Sequence, residues 1–159
     1  MIREVTLKDL DEVAALEIAC FPSLEAASRE VLQERIQMFP SSFLVMEKDR
    51  KLIAMINGCV SNYDTICDEL YDHADAHDCQ GAYQSVFGLD VHPAYRHQGY
   101  ARDMMLAFME LAKNQHRKGM ILTCKEYLIS FYESFGYQNM GISKSVHGGV
   151  IWYDMRLIF

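Results

Sequence analysis

The spacing of apolar and polar positions changes several times along this chain, and each change marks an element. Ile2 to Val5 reads as a short strand. Thr6 with Asp9 makes a capping-box-like start, and Leu7, Leu10, Ala14 and Ile18 then recur at helical spacing until Phe21-Pro22-Ser23 breaks the run. A second helix starts near Ser28, carries Leu32, Ile36 and Phe39 on one face, and stops at Pro40. Phe43 to Glu47 and Leu52 to Val60 are strand-like, and the charged Lys48-Asp49-Arg50-Lys51 between them suits a hairpin turn. Ser61 to Ala82 is a long polar connection with a helical turn near Ile66 to Tyr71, and connections of this length are usually functional or mobile.

The second half alternates more regularly. Tyr83 to Val91 predicts a strand, and Tyr100 to about Asn114 a helix burying Ala101, Met104, Met105, Phe108, Leu111 and Ala112. Met120 to Cys124 predicts a strand, Tyr127 to Phe135 a helix, and Tyr137 to Ile142 and Val150 to Ile158 the last two strands, with Gly136, Gly141, Gly148 and Gly149 at turns. Strand–helix–strand alternation in the middle implies parallel pairing, and hairpin spacing at both ends implies antiparallel pairing. The expectation is one mixed, mostly antiparallel α/β sheet with a central parallel splayed pair and helices on both faces, in a single domain spanning residues 1–159.

Composition narrows the function classes. Half of the 159 residues are hydrophobic, enough for one sizeable core. No apolar run approaches the ~20 residues that span a bilayer, and the charged start MIREVTLKDL shows no export signal. The odd number of cysteines, five with no CxxC, fits reduced thiols and a cytoplasmic location. A net charge of −7 argues against nucleic acid as a partner. No Lys or Arg lies between Lys51 and Arg96, while Asp64, Asp68, Glu69, Asp72, Asp75, Asp78 and Asp90 do. This interval is either a solvated acidic loop or a negative field that draws a cationic substrate such as an amine.

The segment from Val86 to Ala101 carries the strongest chemical signal. An apolar run leads through His92-Pro93 into Arg96-His97-Gln98-Gly99-Tyr100-Ala101 and then a helix. The first N–H groups of a helix lack intrahelical partners and the dipole is positive there, so a glycine turn feeding a helix suits a diphosphate. Neither G-x-x-x-x-G-K-[ST] nor G-x-G-x-x-G occurs. An ordinary strand–turn–helix corner would show the same residues.

The element order, with Arg96-x-x-Gly99-x-Ala101 heading the central helix, resembles the GNAT superfamily of N-acetyltransferases. Phe131-Tyr132-Glu133-Ser134-Phe135-Gly136-Tyr137 is similar to a late segment of that family. Val91-His92, Cys124 and the Phe21-Pro22 break with Glu25-Ala26-Ala27-Ser28 are most similar to its arylalkylamine (serotonin-type) branch. The resemblance implies acetyl-CoA as cosubstrate and no metal. It places pantetheine along Leu89, Asp90 and Val91, and the pyrophosphate on N–H groups of Arg96, His97, Gln98, Gly99, Tyr100, Ala101 and Arg102. It implies Tyr132 at the CoA sulfur as general acid, although Leu128, Phe131, Tyr132 and Phe135 also share the spacing of a packed helix face.

The proton acceptor departs from the family pattern. Many relatives carry Glu or His on the central strand, where this chain has Ser85 and Phe87, so either water leads the proton to Glu25, Asp90 or His92 or the amine binds already neutral. His73 and His77 would share a helix face and suit a metal, or belong to a polar loop. Trp152, Tyr153 and Tyr137 either line an aromatic acceptor pocket or fill the core. Cys124 reads as a buried thiol rather than a nucleophile. The resemblance thus points to transfer onto a small, cationic primary amine, with no nucleic acid or membrane partner and with a homodimer common among relatives. A regulatory acyl-CoA-binding domain and a protein or peptide N-acetyltransferase are the alternatives.

Overall fold

The computed structural model describes all 159 residues. One stretch of chain governs its architecture. Tyr83 to Val91, expected as a single strand, is two: β5 (Tyr83–Val86) and β6 (Gly88–Val91), with Phe87 between them. β6 pairs antiparallel with β3 (Lys51–Asn57), which continues through β2 (Phe43–Lys48) to β1 (Ile2–Glu4) in a four-stranded sheet. β5 pairs parallel with β7 (Gly119–Cys124), inside a second sheet ordered β4-β5-β7-β9-β8, where β4 is Val60–Ser61, β8 is Gln138–Ile142 and β9 is Tyr153–Ile158. β5 and β7 stay in register to Val86 and Leu122; beyond that point the chain changes sheet and the two strands part. The expected mixed, mostly antiparallel arrangement with a splayed parallel pair is found; its hydrogen bonding divides into two sheets joined at Phe87, and two cavities form along the splay.

The run Leu52 to Val60 divides in the same way. Gly58 separates β3 from β4, and a Cβ there would stand 1.9 Å from the Ser85 carbonyl oxygen. Only glycine permits that approach, so the crossing of the two sheets is written into one residue. The hairpin between β2 and β3 forms as expected, with Asp49 (φ 51°) and Arg50 (φ 64°) both left-handed, the twist that matches its strands.

Helices cover both faces. α1 (Leu10–Cys20) and α2 (Arg29–Met38) bury Val13, Leu16, Leu32 and Ile36 against Phe43, Val45 and Met55. Ser28 caps α2 by accepting the Val31 N–H at 3.2 Å. On the other face α4 (Tyr100–Asn114) buries Met104, Met105, Phe108 and Ala112 against residues of both sheets, including Ala54, Ile56, Met120 and Leu122. The polar connection after β4 is packed: α3 (Asp68–Asp72) sits within it, and Ile66, Leu70, Tyr71 and Ala74 are buried. The late helix is shorter than expected, a 3-10 turn at Glu126–Leu128 leading into α5 (Ile129–Glu133), and the last strand begins at Tyr153 rather than Val150. No helix is long and apolar enough to cross a membrane.

Candidate active site

Two cavities open along the splay. The first, about 530 Å³, follows the edge of β6 to the N-terminus of α4. Because the His92 N–H donates to the Ile53 carbonyl (2.8 Å), Asp90 and Gly88 also turn their backbone groups toward β3, and Leu89 and Val91 turn theirs to the open edge. The Val91 carbonyl accepts from Arg96 Nε at 3.1 Å and from Cys20 Sγ at 3.3 Å, which ties the glycine turn and α1 to this edge. Gly99 precedes α4 with φ +87°, and nothing lies within 4 Å of where its Cβ would be. Gly99, Tyr100, Ala101 and Arg102 all line the cavity, so the first turn of a 15-residue helix borders it. Arg96, His97 and Arg102 line this cavity and no carboxylate does, so its field is positive. Of the residues expected here, Leu89, Val91, Arg96, His97, Gly99, Tyr100, Ala101 and Arg102 are on its wall, whereas Gln98 is not. Asp90 is a correction: its backbone is committed to β3 and its fully buried carboxyl lies against Glu17 of α1, away from the cleft.

The second cavity, about 360 Å³, lies on the other side of the β6 edge. Phe21, Leu89, Leu128 and Tyr132 belong to both walls, so the cavities meet at Tyr132. Its ring packs edge-to-face on Phe131 (5.1 Å) and Tyr137 (5.9 Å). Burial pushes its phenol well above the usual tyrosine value, so it holds its proton and is a donor rather than a base.

Most of the inner cavity was not legible in advance. One wall is a stack: the Arg35 guanidinium lies 4.7 Å from the Phe87 ring, Phe87 lies 5.1 Å from Tyr71, and Tyr71 stacks on His147 at 5.0 Å. Tyr71 Oη and Thr123 Oγ1 are 2.6 Å apart, joining α3 to β7. Trp152, its ring 6.2 Å from that of His147, continues this wall and donates from Nε1 to the His147 carbonyl (2.7 Å). Glu25 is on the wall as expected, but its carboxylate is occupied by Lys125, 2.8 Å from Oε1 and 3.1 Å from Oε2. Arg35 is almost wholly buried, donating to Asn57 Oδ1 (3.1 Å) and the Tyr71 carbonyl (2.9 Å), and has no carboxylate in ion-pair contact. Cys124 lines the cavity with its thiol pushed up by burial to about 11, which leaves it a poor nucleophile.

Glu17 was missed and is 5% exposed on the cavity wall, accepting the Ala27 N–H at 2.7 Å. The available signal was its spacing: Leu10, Val13 and Glu17 fall on one helical face, so a carboxylate shares the buried stripe of α1. Arg35, three residues after Leu32 and four before Phe39, carried the same signal in α2.

Other candidates lie elsewhere. Ser85 is fully buried behind the wall, and His92 Nδ1 caps the turn after β6 by accepting the Ala94 N–H at 3.1 Å, so His92 leaves the proton route. His77 Nδ1 accepts the Val60 N–H (2.9 Å) with its ring 5.1 Å from Phe39, and His73 is exposed at the end of α3. No three His, Cys, Asp or Glu side chains converge as metal ligands would. Tyr137 is core, its hydroxyl between the sulfurs of Met105 and Met120, and Tyr153 lies off the cavity wall, so only Trp152 of the three aromatics reaches the acceptor side. The acidic interval is largely spent on structure: Asp64 pairs with Arg156, and Asp68 binds Ser145 Oγ and the Val146 N–H.

A family model described as the Acetyltransferase (GNAT) family matches residues 10–137, and the chain belongs to that family. A GNAT-like decarboxylase, GphF, solved in complex with isobutyryl-CoA, superposes with a TM-score of 0.85 at 19% identity, covering 99% of this chain and 98% of that one. The PaiA N-acetyltransferase of Thermoplasma acidophilum, solved with coenzyme A, superposes with a TM-score of 0.74 at 16% identity, covering 100% and 98%. The probable hydrolase YhcX of Bacillus subtilis is 26% identical over 131 residues, 77% of this chain and 25% of that protein, so this chain spans a quarter of that curated relative.

Proposed function

We propose that this protein is an acetyl-CoA-dependent N-acetyltransferase that acts on a small primary amine by direct transfer in a ternary complex. The observation carrying this reading is that a positive cleft and an aromatic-lined cavity share one wall residue able to donate a proton, Tyr132.

The residues fit a CoA thioester. The α4 N-terminus with Arg96 and Arg102 suits the pyrophosphate, and the edge of β6 at Leu89 and Val91 suits the pantetheine amides, as an added strand would pair. Tyr132 then supplies the proton that the departing thiolate needs. The acceptor enters from the side of Tyr71, Phe87 and Trp152. A cavity of about 360 Å³ suits a small molecule better than a peptide running through a groove. Glu25, held by Lys125, shapes that cavity. A cationic acceptor fits the unpaired carboxylate of Glu17 and the exposed Asp72 at the mouth. Nothing in the cavity singles out the arylalkylamine branch: His92 is turned away from it and Ser85 is sealed behind it.

The test is release of CoA thiol from acetyl-CoA across arylalkylamines, polyamines, amino acids and peptides, with calorimetry of acetyl-CoA alone. Turnover confined to one small-amine class supports the reading. Tight binding without turnover would make the protein a regulatory CoA-binding domain, and turnover only with peptides would move it to the protein acetyltransferases.

A further inference from the structure

Three carboxylates reach the wall of the acceptor cavity, and their surroundings differ. Glu25 is held by Lys125 through both oxygens. Asp72 is exposed at the end of α3. Glu17 is buried, accepts a single backbone N–H from Ala27, and forms no ion pair. Behind Glu17 stands Asp90, fully buried, with no hydrogen-bond partner at either carboxyl oxygen and with the Glu17 carboxylate as its nearest like charge. A carboxyl so buried beside a like charge is driven toward its protonated form. Gly88, on the cavity wall beside Leu89, completes the arrangement: a Cβ there would come within 3.0 Å of Asp90 Oδ1 and 3.8 Å of Glu17 Oε1. The gap left by that glycine places the pair next to the strand edge where an acyl group would emerge.

We propose that Glu17, backed by Asp90, is the group that takes the proton from the acceptor ammonium, replacing the strand base that Ser85 and Phe87 cannot supply. The inference rests on the N-acetyltransferase reading above. Glu17 is then the catalytic residue and Asp90 a positioning residue acting through it. One ammonium proton passes to Glu17. The freed nitrogen lone pair forms the C–N bond as the C–S bond breaks, and Tyr132 gives its phenolic proton to the thiolate. The second nitrogen proton restores the phenol, and Glu17 releases its proton to solvent, so each turnover yields amide, CoA thiol and one proton.

The charges around the pair agree with this role. Arg35 of α2 is the one cation facing both carboxyls, with Cys20 of α1 beside Asp90, and Tyr71 of α3 and Cys59 near Arg35. Burial and the charge of Glu17 drive the Asp90 carboxyl well above the usual carboxylate range. One negative charge shared by the pair thus balances one guanidinium. For an arriving ammonium, burial and the like charge of Arg35 both disfavour the charged form, which eases loss of its proton to Glu17.

The experiment measures kcat/KM against pH for wild type, Glu17→Gln and Asp90→Asn. It runs alongside a titration of 13C-carboxyl-labelled wild-type protein by NMR. Glu17→Gln should lose about 10²–10⁴-fold in kcat near neutrality, keep its affinity for acetyl-CoA within twofold, and regain rate as pH rises and free amine accumulates. Asp90→Asn should shift the acid limb of the profile without abolishing it. The labelled Asp90 carboxyl should titrate well above the usual carboxylate range. Glu17→Gln activity within fivefold of an active wild type overturns the proposal and leaves the acetyltransferase reading standing. An Asp90 carboxyl that titrates in the usual carboxylate range overturns it even if no acceptor is found or a variant fails to fold.

Discussion

The Lys125 ammonium stands 2.8 Å from Glu25 Oε1, joining the loop between α1 and α2 to the end of β7 across 100 residues of chain. The two partners are unequally buried: the Glu25 side chain is 5% exposed and the Lys125 side chain 30%. Removing the lysine therefore strands a buried carboxylate, while removing the carboxylate leaves an amine that can reach water. Lys125→Met should cost about 1–3 kcal/mol in urea unfolding and Glu25→Gln less than ~1 kcal/mol. Because its carboxylate is already engaged, Glu25→Gln should lower kcat by less than tenfold, its main effect falling on the acceptor KM. A 100-fold fall in kcat would return the proton acceptor to Glu25.

Tyr132→Phe keeps the ring and both edge-to-face contacts and removes only the hydroxyl. Its kcat should fall about 10²-fold, the usual cost of a positioned acid, with acetyl-CoA affinity within twofold and Tm within a few degrees. Thiol release at saturating acetyl-CoA, beside calorimetry of the same variant, separates loss of chemistry from loss of binding. Equal losses in both would make Tyr132 a packing residue.

What the sequence revealed and what it hid have one physical explanation. Gly99, Pro93 and the helix after them were legible because a left-handed turn and a helix start are local demands that particular residues meet. Tyr132 followed from its motif and Glu25 from its place at a helix break. The division at Phe87 was illegible because Ser85 to Val91 reads as one extended run, and the exchange of β7 for β3 as partner is decided by tertiary pairing. His147, Trp152 and Thr123 meet through contacts between distant segments, which periodicity does not report. Glu17 and Arg35 were visible as charges on apolar helical stripes, but that pattern tells only that they are buried, not what they face.

Gly99 gives a test of the cleft that leaves the chemistry untouched. At φ +87° an L residue is strained by roughly 1–2 kcal/mol, and its Cβ would project into open space beside the first turn of α4 on the cavity wall. Gly99→Val should raise the acetyl-CoA dissociation constant at least tenfold while changing kcat at saturation by less than threefold. Unchanged binding by calorimetry would place the phosphates elsewhere.

Stability against pH should carry the signature of Asp90. Its folded value is raised by burial first and by Glu17 second, so the native state keeps a proton that the unfolded chain gives up above about pH 4. Between there and the folded value the unfolded state binds fewer protons, and stability falls as pH rises, by at most ~1.4 kcal/mol per pH unit. Asp90→Asn keeps a hydrogen-bond donor toward Glu17 and has nothing to ionise. Its unfolding free energy relative to wild type should therefore increase with pH from about 4 upward and level off once the wild-type pair has titrated. His77 works in the opposite sense, since burial lowers its value and its contribution is lost as pH falls below about 6.5. That term is common to both proteins and cancels in the difference. A difference independent of pH in urea unfolding from pH 4 to 8 would mean that Asp90 is already ionised in the native protein, and that Glu17 has no protonated partner behind it.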